Sequence, residues 1–348
     1  MLKRYDISLF TILMLLLAAS LVSCEKEING PASNQSPIVF GDVETRAVVE
    51  SEESMKTGGF GVFGYVSDVT DPLFDNVNVT WDPAAEVWTY GDPKYWIPSH
   101  THHFFAYYPY STATTADSGV SGVQALDDNS GFKLNFTTPA TADCDLLTAY
   151  TTVDTGADNF DASDHVALAF THALVNVNLN IWRDGGKHQN DQMRIKKVTL
   201  SNIRKGGTYS SNTYLWALTN EKLTLEKEYE GGSDNDNIGA AIVQDNGTLE
   251  TGGTTPATPF NGVMLIPQTI DVSSQVSLRI QYELKRQYAV DWETAELETV
   301  LPYVTWEANK RYTYNVVLSS VTDITVYYIQ TKVDPWGTPQ VGGTVIIK

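Results

Sequence analysis

The sequence predicts an all-β protein, in which two tandem β-sandwich domains follow a lipoprotein signal peptide. Short runs of alternating apolar and polar residues recur along the chain, and turn-forming residues separate them at short intervals, as is typical of sandwiches. Aromatic strand formers are abundant, with 18 Tyr, 12 Phe and 8 Trp among 348 residues. No long stretch shows the period of 3.6 residues that an amphipathic helix requires.

Residues 1–23 have the pattern of an export signal. Lys3 and Arg4 provide a positive start, and the apolar run at residues 9–17 is shorter than the roughly 20 residues of a membrane span. Residues 21–24, Leu-Val-Ser-Cys, resemble the lipobox of bacterial lipoproteins, in which the cysteine is acylated and becomes the N-terminus. A secretory signal with a chance cysteine is the alternative. We predict lipidation at Cys24, which also excludes an internal disulfide because the chain has only two cysteines.

Residues 24–46 are predicted to be a tether and a removable N-terminal strand. Residues 30–37 are polar and contain proline, whereas residues 38–43 are apolar enough to form a short strand. Arg46 follows at the joint between tether and domain, where a trypsin-like protease could cut before Ala47. A solvated surface arginine is the plain alternative.

Composition and motifs argue against catalysis. The formal net charge of −19 gives no electrostatic footprint for nucleic acid. The sequence contains no nucleophile elbow, phosphate loop or paired His/Cys signature, so we expect no enzyme activity, no cofactor and no metal. His100, His102 and His103 could hold zinc, but a polar loop that enters a strand is favoured. The acidic run at residues 234–237 lacks the glycine and distant glutamate of a calcium loop.

The domain boundary is predicted near residue 165, after a stretch rich in Thr, Asp and Gly. Residues 47–165 would form the N-terminal sandwich, in which residues 104–108 alternate between two faces, one in the core and one against a neighbouring sheet or loop. Residues 166–348 would form the C-terminal sandwich. Its clearest strand starts at Val175, where Val, Val, Leu and Ile alternate with Asn, and the pattern predicts a half-buried antiparallel strand.

A series of segments in fixed order resembles the Mfa-like fimbrillins, the lipoprotein pilins of type V pili in Bacteroidales. His172 lies in one of them, where it is predicted to be a hydrogen-bonded structural residue. The resemblance extends over nearly the whole chain from Cys24, and the segments are residues 88–90, 95–98, 104–109, 145–149, 166–175, 263–267, 306–314 and 333–336.

The resemblance implies transthyretin-like sandwich domains and a structural role as a stalk or tip pilin that supports adhesion. It implies that an Arg-specific extracellular protease cuts between Arg46 and Ala47, and that the partners are other fimbrillin subunits. The precursor would sit in the outer membrane through its lipid, and the cut subunit would enter an extracellular fimbrium. The alternatives are a surface-anchored glycan-binding lipoprotein, whose aromatic side chains would stack on sugars, and a fimbrial anchor subunit that stays uncut.

The last eight residues are the predicted donor strand for assembly. Removing the chain up to Arg46 would take out a strand and leave an open edge that recruits another chain. Val341, Gly343, Val345 and Ile347 share one face of an extended segment, and eight residues reach roughly 26 Å at about 3.3 Å each. The alternative is that this segment pairs within its own domain.

Overall fold

The all-β prediction is confirmed. The computed structural model describes residues 36–45, 52–111, 118–229, 237–244, 248–319 and 326–335. In that part of the chain the regular structure consists of strands β1 to β23 and one short helix, α1 (Glu52–Gly58). Residues Pro37–Lys348 belong to one compact unit.

The first sheet has seven strands. They are β1 (Phe40–Thr45), β2 (Phe60–Val66), β3 (Phe74–Asp82), β4 (Val87–Thr89), β5 (Thr101–Tyr108), β8 (Leu147–Asp154) and β9 (Val166–His172). Their order across the sheet is β1-β9-β8-β5-β2-β3-β4. Strands β1 and β9 are parallel, and all other neighbours in this sheet are antiparallel.

A second sheet of four strands packs on the first. It contains β6 (Val120–Ala125), β7 (Phe132–Thr137), β12 (Gly206–Ser210) and β13 (Leu215–Leu218), in the order β13-β12-β7-β6. All of its neighbours are antiparallel.

Two further sheets enclose the core of the second half of the chain. One contains β11 (Gln192–Arg204), β14 (Lys222–Glu228), β19 (Ser277–Lys285) and β20 (Glu293–Val300), in the order β14-β11-β19-β20. The other contains β10 (Val175–Asp184), β15 (Ala240–Val243), β16 (Leu249–Glu250), β17 (Ala257–Leu265), β22 (Lys310–Leu318) and β23 (Val326–Pro335). Its order is β16-β15-β10-β22-β23, with β17 also paired to β10. The short strands β18 (Gln268–Ile270) and β21 (Val304–Trp306) pair with each other.

The antiparallel direction predicted for β10 holds for only one of its three neighbours. This strand runs parallel to β22 and β15 and is antiparallel only to β17. Its Val and Leu side chains do face the core, as the alternation indicates. Alternation indicates which side chains of a strand are buried, but it does not indicate the direction of the neighbouring strand.

Both faces of the first sheet are buried, which explains its high aromatic content. Phe104 and Tyr108 belong to the core on one face, together with Met55 from α1. Phe105 and Tyr107 belong to the core between the first and second sheets. This matches the two-faced alternation predicted for residues 104–108.

The predicted boundary at residue 165 lies between strands that share sheets. Strand β9, which begins at Val166, belongs to the first sheet, and β7 pairs with β12 from the second half of the chain. The division into two domains, residues 47–165 and 166–348, stays a prediction.

Candidate functional site

The N-terminal strand β1 lies at one edge of the first sheet. Its sheet neighbour is β9, with Phe40 opposite Val166 and Thr45 opposite Phe170. The register shifts between Gly41 and Val43. The sequence predicts a strand over residues 38–43, and the structure places it slightly later. Because an edge strand has a neighbour on one side only, removing β1 would expose the backbone groups of β9.

Hydrogen bonds fix the chain just before β1. The amide of Ile38 donates to the carbonyl of Lys94 at 2.8 Å, and the hydroxyl of Tyr90 donates to the carbonyl of Ile38 at 2.6 Å. The amide of Val166 donates to the carbonyl of Val39 at 2.8 Å. The segment is therefore joined both to the loop after β4 and to the start of β9.

Side-chain burial adds to this attachment. Ile38 and Phe40 are each only 1% exposed. The ring of Phe40 makes edge contacts with four aromatic rings, at centroid distances from 5.6 to 6.1 Å, namely Phe60, Phe74, Tyr90 and Phe104. Full burial of a phenylalanine contributes about 1.5–3 kcal/mol, and aromatic pairs add about 0.5–1.5 kcal/mol each. The strand thus fills an aromatic groove at the edge of the sheet.

Comparison with known proteins decides the family. A family model described as fimbrillin-like matches residues 45–336, which is most of the chain. The chain belongs to the fimbrillin-like family. A search of curated proteins finds no match.

A solved structure shares the fold of this fimbrillin-like chain. A fimbrial protein from Bacteroides vulgatus is 17% identical with a TM-score of 0.62, and the match covers 87% of this chain and 100% of that one. A putative cell adhesion protein from Bacteroides uniformis is 19% identical, with a TM-score of 0.43 and coverage of 88% and 100%. Membership of this family supports a fimbrial role. In the described part of the chain, no helix has the length and apolar character to cross a membrane.

Most of the predicted processing and assembly residues lie outside the described part of the fimbrillin-like chain. This holds for Cys24, for Arg46 and Ala47, and for the donor segment with Val341, Gly343, Val345 and Ile347. In the sequence, however, Arg46 directly follows Thr45, the last residue of β1. A cut after Arg46 would therefore separate the whole of β1 from the rest of the chain.

Asp145 contacts His172 in the structure, although the two residues lie in different segments that resemble the fimbrillins. Nδ1 of His172, at the end of β9, lies 2.5 Å from Oδ2 of Asp145, and both side chains are at most 1% exposed. The other carboxylate oxygen of Asp145 accepts a hydrogen bond from the amide of Leu146 at 2.8 Å. His172 is the hydrogen-bonded structural residue that the sequence predicts, but the sequence does not identify Asp145 as its partner.

Each of the three histidines near β5 contacts a different partner. The His102 ring is buried, its Nε2 accepts a hydrogen bond from the amide of Ile97 at 3.1 Å, and burial lowers the pKa of this imidazole. His103 Nδ1 lies 3.0 Å from the Tyr150 hydroxyl, and His100 Nδ1 lies 2.7 Å from the Pro98 carbonyl oxygen. Across the described ranges, no group of three or more His, Cys, Asp or Glu side chains is arranged to hold a metal ion. Of the acidic run at 234–237, only Asn237 lies within those ranges.

A substitution at Gly41 tests whether β1 packs closely against His165, the residue before β9. A Cβ added to Gly41 would overlap Nδ1 of His165 and would lie 2.7 Å from Cβ of His165. We expect Gly41→Ala to lower the free energy of unfolding by about 1–3 kcal/mol, because the backbone must shift to relieve the overlap. Urea unfolding of the uncut chain measures this change.

Gly91→Ala is the matched control for this substitution. Its added Cβ meets no atom within 4 Å, so the free energy of unfolding should change by less than about 0.5 kcal/mol. Equal effects at Gly41 and Gly91 would contradict the close seating of β1.

Proposed function

We propose that this chain is a stalk or tip subunit of a fimbria that polymerises by donor-strand exchange and supports adhesion. In this proposal it is exported as a lipoprotein acylated at Cys24 and held in the outer membrane. An extracellular Arg-specific protease then cuts it between Arg46 and Ala47. Strand β1 leaves with the lipidated peptide, and a strand from another fimbrillin subunit takes its place.

The position of β1 carries this proposal. It is an edge strand with its apolar anchor Phe40 in an aromatic groove, and the predicted cut after Arg46 lies one residue beyond Thr45, its last residue. Strand β1 has a single strand neighbour, so its departure breaks one ladder, the one with β9, together with the hydrogen bonds of Ile38 to Lys94 and Tyr90. A central strand such as β5, paired on both sides, could not leave without breaking the sheet.

Cleavage leaves the contacts between β1 and the groove unchanged, but it alters how well β1 competes with other strands for the groove. While β1 is part of the chain, its effective concentration at the groove is of millimolar order or higher, so a competing strand is excluded. After the cut, β1 becomes a separate ligand and can be lost by dilution. An empty groove would expose Phe60, Phe74 and Phe104 with the unpaired backbone of β9, which favours strand addition.

The segment Val341–Lys348 remains our candidate donor. It follows β23, the last described strand, which pairs with β22 at the edge of its sheet. In a donor role, alternate apolar residues such as Val345 and Ile347 would fill the groove while the backbone pairs with β9.

Replacing the predicted cleavage residue tests the proposal. Arg46→Ala should leave the precursor lipidated and uncut, and detergent-resistant ladders should disappear from gels of surface protein. The mature wild-type chain should begin at Ala47 when its N-terminus is sequenced. As a matched control, Arg46→Ala with a site for an unrelated protease at residues 47–51 should recover polymerisation when that protease is added.

Different outcomes would contradict the predicted cleavage at Arg46 and the predicted donor segment. Normal ladders from the Arg46→Ala chain would exclude cleavage at this residue. A wild-type chain that keeps an acylated Cys24 and forms no ladder would indicate an anchor subunit or another surface lipoprotein. Removing residues 341–348 should give a secreted, cleaved and folded monomer, and a ladder from that truncated chain would place the donor elsewhere.

A further inference from the structure

A cavity of about 440 Å³ lies where the chain after β7 passes the start of β14. Backbone hydrogen bonds join the segments that form it. The amide of Thr138 donates to the carbonyl of Lys205 at 2.8 Å, and the amide of Lys205 donates to the carbonyl of Glu221 at 3.0 Å. We define this space as the lysine cavity, and its lining includes Lys205, Lys222, Thr138 and Leu223. Its volume falls within the range of pockets that bind small ligands.

The lysine cavity is positively charged, although the net charge of the chain is −19. Among the described residues that line it, none is Asp or Glu. Across the described ranges, no carboxylate forms an ion pair with Arg204, Lys205 or Lys222. By contrast, Lys197 and Arg279 in the sheet that contains β14 each pair with two glutamates. Positive charge that the fold leaves unneutralised in a cavity favours an anionic ligand.

The placement of these cations is unfavourable for folding. Arg204 and Lys222 are directly opposite each other in the β11–β14 ladder. Like charges in that position destabilise a sheet. Burial lowers the pKa of Lys222, and the neighbouring Arg204 lowers it further. A bound anion would relieve this repulsion, so the arrangement serves binding better than it serves stability.

A buried hydroxyl in the lining also lacks a partner. Thr138 is 0% exposed, and its Oγ1 makes no hydrogen bond within the described part of the chain. Almost all buried polar side chains in folded proteins are hydrogen-bonded, because a buried hydroxyl without a partner costs free energy. Since Thr138 lines the lysine cavity, a polar group of a ligand can supply the missing bond.

The remaining walls combine hydroxyl groups with apolar surface. Ser121 and Thr224 contribute hydroxyls, whereas Val120, Pro139 and Leu223 contribute apolar contacts. A sugar ring has the matching combination, because its hydroxyls lie around the edge and its C–H groups form an apolar face. Together with the two lysines, these walls suit a sugar that also carries a negative charge.

We propose that the lysine cavity binds an acidic sugar, a uronic or sialic acid residue, through its carboxylate. The carboxylate accepts charge-assisted hydrogen bonds from Lys205 and Lys222, and a sugar hydroxyl bonds to Thr138. A phosphate group carries about twice the charge of a carboxylate, so the net charge of −19 opposes phosphate more strongly. A protein partner would need about 800 Å² on each side, which a cavity of this size does not supply. The proposal gives the adhesive role a ligand class and rests on the proposed function only for that role, because binding does not require polymerisation.

The test uses the uncut Arg46→Ala chain, so that failure of binding and failure of assembly are distinguishable. Titration calorimetry measures its affinity for methyl glucuronide, methyl galacturonide and methyl sialoside, for the neutral methyl glucoside, and for inorganic phosphate and tetraglutamate. The best carboxylated sugar should bind at least about tenfold more tightly than methyl glucoside. The proposal is wrong if no carboxylated sugar binds more tightly than methyl glucoside, or if phosphate or tetraglutamate binds most tightly.

Substitution of Lys205 locates the binding site. Lys205→Gln should weaken binding of the best carboxylated sugar at least about tenfold, because one charged donor is lost, whereas Lys205→Arg should keep most of the affinity. Lys196→Gln is the matched control, because Lys196 is also partly buried and without an ion pair in the described chain, but lies outside the lysine cavity. It should leave the affinity unchanged. Unchanged affinity in Lys205→Gln, or an equal loss in Lys196→Gln, would overturn the proposal.

Stability separates a binding role from a structural one. Lys222→Gln removes the repulsion from Arg204, and Thr138→Val replaces the unpartnered hydroxyl with a methyl group of similar size. Both variants should unfold at the same temperature as the parent or higher, and both should bind the sugar more weakly. Unchanged affinity in both variants would overturn the proposal, whatever their stability.

Discussion

Replacing Phe40 with alanine should lower the free energy of unfolding of the uncut chain by about 3–5 kcal/mol. Phe40 is 1% exposed and contacts four aromatic rings, so truncation leaves a cavity that these rings can fill only partly. The measurement is urea unfolding in the Arg46→Ala background, where the strand stays covalently attached. The same substitution should speed loss of the N-terminal peptide after cleavage.

Phe40→Leu is the control for cavity volume. Leucine keeps most of the apolar volume, so the free energy of unfolding should fall by less than about 1.5 kcal/mol. A loss below about 1 kcal/mol for Phe40→Ala would mean that β1 is not seated in the aromatic groove. That result would also remove the main support for strand exchange at this edge, because an unseated strand leaves no groove behind.

Breaking the Asp145–His172 pair should produce an effect of similar size. Asp145→Ala leaves the His172 ring buried without its carboxylate and removes an acceptor from the amide of Leu146. Removing one member of a buried pair typically destabilises a protein by about 3–5 kcal/mol. Urea unfolding at neutral pH measures the change, and near-ultraviolet circular dichroism checks that the variant keeps its tertiary packing.

A double-mutant cycle isolates the pair itself. Asp145→Leu with His172→Leu should destabilise the chain by less than the sum of the single changes, because neither partner is then left buried alone. Asp143→Ala is the positional control, since Asp143 is exposed two residues away and should change the free energy of unfolding by less than about 0.5 kcal/mol. Additive effects in the cycle would contradict a direct interaction between Asp145 and His172.

The local pattern was sufficient for the strands but not for their partners. Alternation at residues 104–108 predicts two faces, and the structure buries them in two different cores. The same kind of pattern in β10 identified the core-facing side chains, but the antiparallel direction that it predicted holds for β17 and not for β15 or β22. Side-chain period is a property of one strand, whereas direction and register depend on hydrogen bonds to residues far along the chain.

The sequence by itself determined that this protein is all-β, acidic and similar to fimbrillins, and it located an apolar strand directly before Arg46. Only the tertiary structure decided that this strand lies parallel to β9 at the edge of a sheet with Phe40 among four rings. It alone joined Asp145 to His172. These contacts connect residues that are distant in the sequence, and they arise from packing and long-range pairing, which leave no periodic signal in either segment.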